Sequence, residues 1–330
     1  MSKGVVLGKF MPVHNGHRYL IDFARHYCDE LTILIGSLPG EPIPGELRVA
    51  WLRELFPNQR VVHITDENPQ LPHEHPDFWA IWRRSLERAL GGEQPDFLFA
   101  SEEYGQRLAE ELGATFVATS GWREIVPVSA TQIREDPAAY WDHIPSCVRP
   151  HFVKKICLFG PESTGKTTLA RALAEHYQTV AVPEYARGFL ECKGAFEASD
   201  LEAIGRGQLA SEQALARRAR HLLFCDTDLL TTRIWGRWLL NTTNPWLESM
   251  LDEAAYDLTL LTDVDLAWQP DAVRYLPHQG PAFLDCCIQE LEKHNRPYVM
   301  IRGAGEERFA AALAAVEEWL RDASKQRRSG

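Results

Sequence analysis

The sequence lacks the features of exported, membrane-embedded and nucleic-acid-binding proteins. Its seven cysteines are an odd number and form no C-x-x-C pair, so they indicate reduced core residues in a cytosolic protein rather than a zinc site. The N-terminus has no signal-peptide layout, and no apolar stretch is long enough to cross a bilayer. The 35 basic and 46 acidic residues give a formal net charge of −11, which argues against general binding to nucleic acids or anionic membranes. We therefore expect a cytoplasmic protein.

The sequence also lacks internal repeats and low-complexity tracts, and its 330 residues, 45% of them hydrophobic, fit two packed domains. Strands are predicted at 4–7, 31–36, 60–65, 97–100, 155–159, 179–182, 221–225, 258–262 and 297–301. Helices are predicted at 17–28, 46–56, 78–90, 104–112, 166–176, 200–220 and 309–323. This alternation predicts an α/β protein with two doubly wound parallel sheets. Prolines at 137, 145 and 150 interrupt it, so we place the domain boundary between 148 and 149.

The second half opens with a phosphate-binding loop. Its residues match G-x-x-x-x-G-K-[ST] at every fixed position, between a predicted strand and a predicted helix. They are Gly160, Pro161, Glu162, Ser163, Thr164, Gly165, Lys166 and Thr167, followed by Thr168. The glycines let the loop wrap a phosphate, and the helix N-terminus adds partial positive charge. We expect this loop to bind ATP, with Lys166 on the β- and γ-phosphates and the Thr167 hydroxyl on Mg²⁺.

Three later segments are candidates for the rest of that site. Glu184, Tyr185 and Arg187 follow a predicted strand, where α/β proteins place ligand-binding side chains. Asp226 and Asp228 end an apolar strand, where proteins with such a loop hold Mg²⁺ or an acceptor hydroxyl. Trp268 and Arg274 lie in a polar segment that suits a lid over the phosphates. Each segment has a structural alternative, namely a surface ion pair between Glu184 and Arg187, a helix cap at Asp228, and a solvated Arg274.

The first half carries a different phosphate signature directly after its first strand. Its residues are Gly8, Lys9, Phe10, Pro12, His14, Gly16 and His17. Because His14 and His17 are three residues apart at the start of a helix, both rings can face the phosphates of ATP and the leaving pyrophosphate. A second segment offers Ser129 as an N-cap, Thr131 and Arg134, which together suit the opposite side of a triphosphate. The structural alternative is two surface histidines beside a turn.

These residues resemble a known family. Residues 8–17 and 129–134 are similar to the G-x-F-x-P-x-H-x-G-H and S-x-T-x-x-R signatures of the nucleotidylyltransferase superfamily. With the phosphate-binding loop behind them, the chain resembles NadR-type bifunctional proteins over nearly its whole length. The resemblance implies a Rossmann-like NMN adenylyltransferase domain at 1–148 and a P-loop ribosylnicotinamide kinase domain at 149–330. Because the first strand begins near Gly4, the N-terminal helix-turn-helix domain of many members is not expected. The segment 267–274 lacks the Pro and Gly of the family's lid, which puts kinase strength in question.

The resemblance also implies chemistry. In the kinase half, the hydroxyl of nicotinamide riboside attacks ATP to give NMN, with Asp226 or Glu184 as the proton acceptor and Arg274 as a further cation. In the other half, the phosphate of NMN attacks a second ATP, giving NAD and pyrophosphate without a strong general base. Tyr185, Arg187, Asp228 and Trp268 are the candidate substrate contacts of the kinase half, and Trp122 is the candidate stacking partner of nicotinamide. The implied partners are ATP, nicotinamide riboside, NMN and NAD, with Mg²⁺ as cofactor and no nucleic acid or membrane.

Several alternatives stay open at this stage. The first half suits another phosphorylated acceptor, such as phosphopantetheine, equally well, and an acceptor screen separates the two. The second half suits a regulatory module that binds ATP or NAD without turnover, which a measurement of ADP formation would reveal. Self-association, transfer of NMN between the two sites, and preference for the amide or the acid form of the pyridine ring are also open.

Overall fold

The computed structural model describes residues 1–100, 104–119, 125–251, 253–270 and 278–329. The chain divides into two compact units, Met1–Val148 and Arg149–Gly330, and each contains a parallel sheet of five strands. Within the described ranges, no helix combines the length and the apolar character that a membrane span requires. The α/β class and the two parallel sheets predicted from the sequence are confirmed.

The first unit is a doubly wound sheet with β1 at its centre. Its strands are β1 (Lys3–Gly8), β2 (Glu30–Gly36), β3 (Arg60–Ile64), β4 (Phe97–Ala100) and β5 (Thr115–Ala118), in the order β3-β2-β1-β4-β5. Its helices are α1 (Asn15–Tyr27), α2 (Gly45–Leu55), α3 (Phe78–Ala89), α4 (Tyr104–Leu112) and α5 (Ala130–Glu135). The strand order reverses beside β1, so a crevice opens where the chain leaves its carboxyl end.

The second unit has the same layout around a different central strand. Its strands are β6 (Lys154–Phe159), β7 (Val180–Val182), β8 (Leu222–Asp226), β9 (Leu258–Thr262) and β10 (Tyr298–Ile301), in the order β10-β9-β6-β8-β7. Its helices are α6 (Lys166–His176), α7 (Tyr185–Lys193), α8 (Asp200–Ala216), α9 (Leu229–Leu240), α10 (Pro245–Met250), α11 (Gly280–Lys293) and α12 (Gly305–Ser329). Strand β6 lies between β8 and β9, and its carboxyl end runs into the glycine-rich loop.

Alternation along β6 divides the core of the second unit into two layers. Ile156 and Leu158 face one side and pack in a cluster with buried residues of α6 and α12. Cys157 and Phe159 face the other side and pack in a cluster with residues of α9 and α11. A strand buried on both faces is expected to be continuously apolar, as this one is. Strands β8 and β9 pair with β6 on either side, so the carboxyl ends of all three strands lie next to the glycine-rich loop.

The nine strands predicted from the sequence are present within one residue of their predicted ends, and the helix predicted at 166–176 has those bounds. Helix α8 ends at Ala216 rather than at 220, because the chain turns there and His221 takes a positive φ of 68° before β8 begins. Strand β5 and the helices α7, α9, α10 and α11 were not predicted. Strand β5 is a short edge strand, and α9 carries two β-branched threonines in an apolar run, which blurs a helical pattern.

Candidate active sites

The loop after β1 positions the first site. Phe10 takes a positive φ of 49° and folds its ring back over Gly8, where a Cβ would lie only 3.1 Å from the ring. The Met11–Pro12 peptide is cis. His14 then caps helix α1, because its Nδ1 accepts a hydrogen bond from the backbone N–H of Gly16 at 3.1 Å. The signature is thus a tight turn that delivers two histidines to a helix N-terminus.

The two histidines of this turn are neutral. Their ring centroids are 3.8 Å apart, and the ring of Phe10 packs edge-on against His17 at 4.9 Å. Burial, reinforced by His17 and then His143, lowers the pKa of His14 to about 2, and burial lowers the pKa of His17 to about 4. Since Nδ1 of His14 accepts the Gly16 N–H, its proton resides on Nε2, which makes this ring a hydrogen-bond donor without a charge. Nδ1 of His17 is buried with no hydrogen-bond partner among the described residues.

Helix α5 brings the second half of the signature to the same place. Ser129 closes a capping box with Gln132, so its hydroxyl is used in starting the helix. Arg134 donates from Nη1 to the carbonyl of Met11 and from Nη2 to Oγ1 of Thr131 at 3.2 Å. The guanidinium therefore joins residues 129–134 to residues 8–17, although more than a hundred residues separate them in the chain.

A cleft of about 620 Å³ opens beside these residues, a volume within the usual range of small-molecule sites. Of the predicted site residues, the cleft is lined by Gly8, Lys9, Phe10, His17, Thr131 and Arg134. Pro12, His14, Gly16 and Ser129 lie behind them and shape the turn and the helix starts. The cleft is also lined by an aromatic wall, Phe78, Trp79 and Trp82 of α3, and by Asp66, all of which sequence reasoning missed. The cluster of three aromatic residues at the start of a predicted helix was the available signal. Trp122 lies outside the described residues.

Arg48 is a second residue that the sequence did not reveal. Its side chain is fully buried, donates from Nη1 to the carbonyl of Lys9 at 2.7 Å, and pairs through Nη2 with Oε2 of Glu41 at 2.5 Å. The other oxygen of Glu41 lies 3.0 Å from Nζ of Lys9. The carboxylate of Glu41 is thereby shared between two cations. Burial raises its pKa, but the hydrogen bonds from the Leu38 N–H, Lys9 and Arg48 outweigh burial and lower the pKa. Arg48 and Glu41 fix the loop that carries Lys9 at the mouth of the cleft.

The second site is the glycine-rich loop between β6 and α6. Gly160 and Gly165 take positive φ values of 130° and 83°, and a Cβ on Gly160 would lie 2.8 Å from Oγ1 of Thr262. Thr164 bonds through Oγ1 with the hydroxyl of Thr262 at 2.7 Å, which fastens the loop to the end of β9. Nζ of Lys166 donates to the carbonyls of Gly160 at 2.9 Å and Pro161 at 2.6 Å. The ammonium is thus held in the concave face of the loop, where a phosphate would replace the carbonyls as its partner.

Asp226 stands across from this loop at the end of β8. Its Oδ2 accepts a hydrogen bond from the hydroxyl of Thr167 at 2.5 Å, while Oδ1 is buried with no partner among the described residues. An unsatisfied carboxylate oxygen beside a hydroxyl fits Mg²⁺, which prefers oxygen ligands and keeps several waters or phosphate oxygens. In the described part of the chain there is no group of three or more His, Cys, Asp or Glu that would form an all-protein metal cage. Asp226 and Thr167 therefore suit a nucleotide-bound Mg²⁺ rather than a structural ion.

Glu184 lines the cavity next to the loop. It occupies the N-cap position of α7, yet its side chain makes no capping hydrogen bond. Burial raises its pKa, Lys166 opposes that rise, and the carboxylate of Asp226 adds to it. A carboxylate with a raised pKa in a cleft is typical of groups that accept protons. The same cavity is lined by Glu162, Ser163, Thr164, Gly165, Lys166, Thr167, Thr168, Glu184, Arg187, Gln208, Thr227, Thr231, Thr232 and Trp235, among others.

Not every predicted residue reaches this cavity. The prediction that Asp228 contacts substrate is corrected, because its carboxylate is buried inside the fold, caps α9 through the N–H of Thr231 at 2.9 Å and pairs with Arg296 at 2.7 Å. Tyr185 is exposed and its ring packs near Phe189 instead of lining the cavity.

The predicted lid is described only in part. Nε1 of Trp268 donates to Oε1 of Glu162 at 3.0 Å, so this tryptophan rests on the phosphate-binding loop. Arg274 lies outside the described residues. Arg308, another residue that sequence reasoning missed, is buried and donates to the carbonyls of Thr164 and Gly303 at 2.9 and 2.7 Å and to the carboxylate of Asp265. It therefore ties the loop to the ends of β9 and β10.

Comparison with known proteins agrees with the division into two sites. Residues 5–136 match the cytidylyltransferase-like family, and residues 155–308 match an AAA domain family. The trifunctional NAD biosynthesis/regulator protein NadR of Escherichia coli (strain K12) is 30% identical over 96% of this chain and 83% of its own length. The chain belongs to the NadR family. The NadR of Salmonella typhimurium (strain LT2) is 29% identical over the same shares.

Two solved NadR structures have the same fold as this chain. A NadR protein in complex with NR superimposes with a TM-score of 0.81 at 23% identity, and one in complex with NAD and AMP-PNP with a TM-score of 0.79 at 24% identity. Each comparison covers 96% of both chains. Because the identities are low, this likeness concerns the fold alone. NadR proteins therefore share both sheets with this chain, including the order in which the two units follow each other.

Proposed function

We propose that this chain is a bifunctional enzyme of NAD salvage, a kinase for nicotinamide riboside in residues 149–330 and an NMN adenylyltransferase in residues 1–148. The observation that carries the proposal is that each unit has its own cavity, lined by the signature residues that follow the central strand of its own parallel sheet. The similarity to NadR proteins of NAD biosynthesis, and the ligands NR, NAD and AMP-PNP of the two solved NadR structures, support the same assignment.

The first site suits adenylyl transfer. An oxygen of the NMN phosphate attacks the α-phosphorus of ATP, the bond between the α-phosphorus and its bridging oxygen breaks, and pyrophosphate leaves. The attacking phosphate is already ionised, so the site requires positioning and charge neutralisation rather than a general base, and positioning can contribute about 7–11 kcal/mol. His14 and His17 act as neutral hydrogen-bond groups, and Lys9 and Arg134 supply positive charge. Thr131 completes the polar wall.

The aromatic wall of the same cleft suits the pyridine ring of the acceptor. Phe78, Trp79 and Trp82 line the same cleft as His17, and aromatic rings stack well on a cationic pyridinium. The carboxylate of Asp66 lies on this side as well. We propose this wall as the nicotinamide side of the site, and Trp122 stays a predicted contact of the nicotinamide ring. This arrangement favours a ring-bearing acceptor over the flexible chain of phosphopantetheine.

The second site suits phosphoryl transfer to a hydroxyl. The 5′-hydroxyl oxygen of the riboside attacks the γ-phosphorus of ATP, its proton passes to a carboxylate, and ADP leaves. Asp226 and Thr167 would hold Mg²⁺, whose chemistry there is neutralisation of charge on the β- and γ-phosphate oxygens. Asp226 is engaged by Thr167, whereas Glu184 lines the cavity with a raised pKa, so we assign the proton acceptor to Glu184. Lys166 binds the transferring phosphate, with Arg187 at the cavity wall.

Two substitutions test the assignment of one activity to each unit. Lys166→Ala should abolish riboside phosphorylation and leave NAD synthesis from NMN unchanged, whereas His17→Ala should do the reverse. Lys293→Ala and His26→Ala, at exposed positions of the same two units, are the matched controls and should change neither activity. ADP, pyrophosphate and NAD are measured separately with ATP and Mg²⁺. If either test substitution removed both activities in a folded protein, the two-site assignment would be refuted. The assignment of NMN as the acceptor would be refuted if another acceptor had a higher kcat/KM.

A further inference from the structure

Glu184 occupies the N-cap position of α7, where a polar side chain commonly accepts a hydrogen bond from the helix backbone. As the N-cap of α7, it precedes backbone N–H groups that have no partner within the helix, and a side chain at this position can accept from the second or third of them. Its side chain makes no such bond. A carboxylate that remains in the cavity instead requires that the first orphan N–H be satisfied by another group.

Gln208 of helix α8 is that other group. Its Oε1 accepts the hydrogen bond from the backbone N–H of Tyr185, the first residue of α7, at 3.0 Å. Its side chain is only 1% exposed and lines the same cavity as Glu184 and Lys166. The amide oxygen thus satisfies an orphan N–H at the start of α7, and it carries no charge that would compete with Glu184 for the ammonium of Lys166.

A buried polar chain behind Gln208 fixes the orientation of its amide. The Nε2 of Gln208 faces Oε1 of Glu212 at 3.5 Å, and Glu212 is itself fully buried. Glu212 accepts from the hydroxyl of Tyr256 at 2.6 Å and pairs with Nζ of Lys155 at 3.0 Å. Because one end of the amide must accept and the other must donate, these contacts allow only one flip of Gln208.

We propose that Gln208 is a positioning residue that caps helix α7 in place of Glu184 and so keeps the Glu184 carboxylate in the cavity for the acceptor hydroxyl. This inference rests on the proposed kinase function of the second unit. Without the amide, the carboxylate of Glu184 would turn back to the orphan N–H groups in the first turn of α7, where the helix dipole would stabilise its ionised form.

The charges that face Glu184 come from three elements besides its own helix end. Lys166 belongs to α6, Asp226 to β8, and Glu162 to the phosphate-binding loop, while Arg187 lies one turn along α7. None of them changes when Gln208 is replaced, so a change in the pH dependence of the kinase reports the position of Glu184. A loss of packing alone would not move the acid limb of the pH profile.

The test compares Gln208→Met, which keeps the size but removes the acceptor, with Gln213→Met at an exposed position of the same helix. Gln208→Met should lower kcat for riboside phosphorylation by about 10- to 100-fold, leave KM for ATP unchanged, and move the acid limb of the kcat profile to lower pH. Gln208→Glu, protonated beside Glu212, offers the same donor and acceptor as the amide and should restore kcat to within about threefold. The control should behave as the unsubstituted protein.

A double-mutant cycle with Glu184→Gln separates the outcomes. If Gln208 acts through Glu184, then Gln208→Met should cause almost no further loss once Glu184→Gln is present. An equal loss in both backgrounds, or a Gln208→Met protein with unchanged kcat and pH profile, would overturn the inference while leaving the proposed function intact. Absence of riboside phosphorylation in the unsubstituted protein would instead refute the proposed function and the inference with it.

Discussion

The buried histidine pair of the first unit makes the stability of that unit sensitive to mild acid. In the unfolded chain His17 has its ordinary pKa of 6.5, whereas in the folded unit burial lowers the pKa to about 4. Between these values the unfolded chain binds a proton that the folded unit excludes, so acid favours unfolding. The contribution of His17 to stability is therefore fully present above pH 6.5, falls as the pH drops below 6.5, and levels off below about pH 4.

The magnitude follows from the size of this window. One pKa unit corresponds to about 1.4 kcal/mol, and pH 5 lies about 1.5 units below the ordinary pKa, so His17 should account for about 2 kcal/mol of lost stability between pH 7 and pH 5. His14, whose pKa is about 2, should add a loss of similar size over the same interval. The substitution His17→Asn removes one of these two losses and leaves the other.

Native-state hydrogen exchange of the β1 and β2 amides measures this effect in the first unit separately from the second. Without nucleotide, the unsubstituted protein should lose about 2 kcal/mol more than His17→Asn between pH 7 and pH 5. His26→Asn, at an exposed position of the same helix, should lose as much as the unsubstituted protein. Equal losses for His17→Asn and the unsubstituted protein would refute the reasoning, because His17 would then titrate alike in both states.

Two further predictions concern the buried arginines that hold the loops. Arg48→Met should destabilise the first unit by about 3 kcal/mol and lower NMN adenylylation, because the carbonyl of Lys9 and a carboxylate oxygen of Glu41 lose their donor. Hydrogen exchange measures the loss of stability, and the kinase rate, which should not change, is the control. Arg308→Met should raise KM for ATP in riboside phosphorylation by about tenfold and spare NMN adenylylation, because the carbonyl of Thr164 loses the guanidinium that joins it to Gly303 and Asp265. An unchanged KM would contradict this.

Local patterns made much of the fold predictable. The phosphate-binding loop is a contiguous motif in which the glycines and the lysine lead directly into a helix. The bounds of α6 could therefore be predicted from the sequence. The capping role left open for Asp228 also follows from local geometry and is confirmed, since its Oδ1 accepts the N–H of Thr231. Strands buried on both faces are continuously apolar, which made the nine predicted strands visible.

Contacts between distant segments set the limit of such prediction. The sequence around Arg48 predicts an ordinary helix residue. Only the approach of the loop after β1 makes its guanidinium a buried donor to the carbonyl of Lys9. Gln208 likewise lies in the middle of a helix, and its role depends on a hydrogen bond to Tyr185, 23 residues earlier. The aromatic wall of the first cleft could not be predicted without knowing that α3 and the turn with the histidines line the same cleft. None of these pairings leaves a periodic or contiguous mark in one sequence.

The hydrogen bond from the Gly16 amide to His14 also restricts what else the histidine pair can bind. Neutral imidazoles are common ligands of zinc and nickel, and such ions coordinate a ring nitrogen through its lone pair. In His14 the lone pair of Nδ1 is occupied by the amide, and Nε2 carries the hydrogen. Capture through this ring would have to uncap α1 and move that hydrogen first. The turn that presents the rings to a nucleotide therefore also disfavours capture of a transition metal through His14.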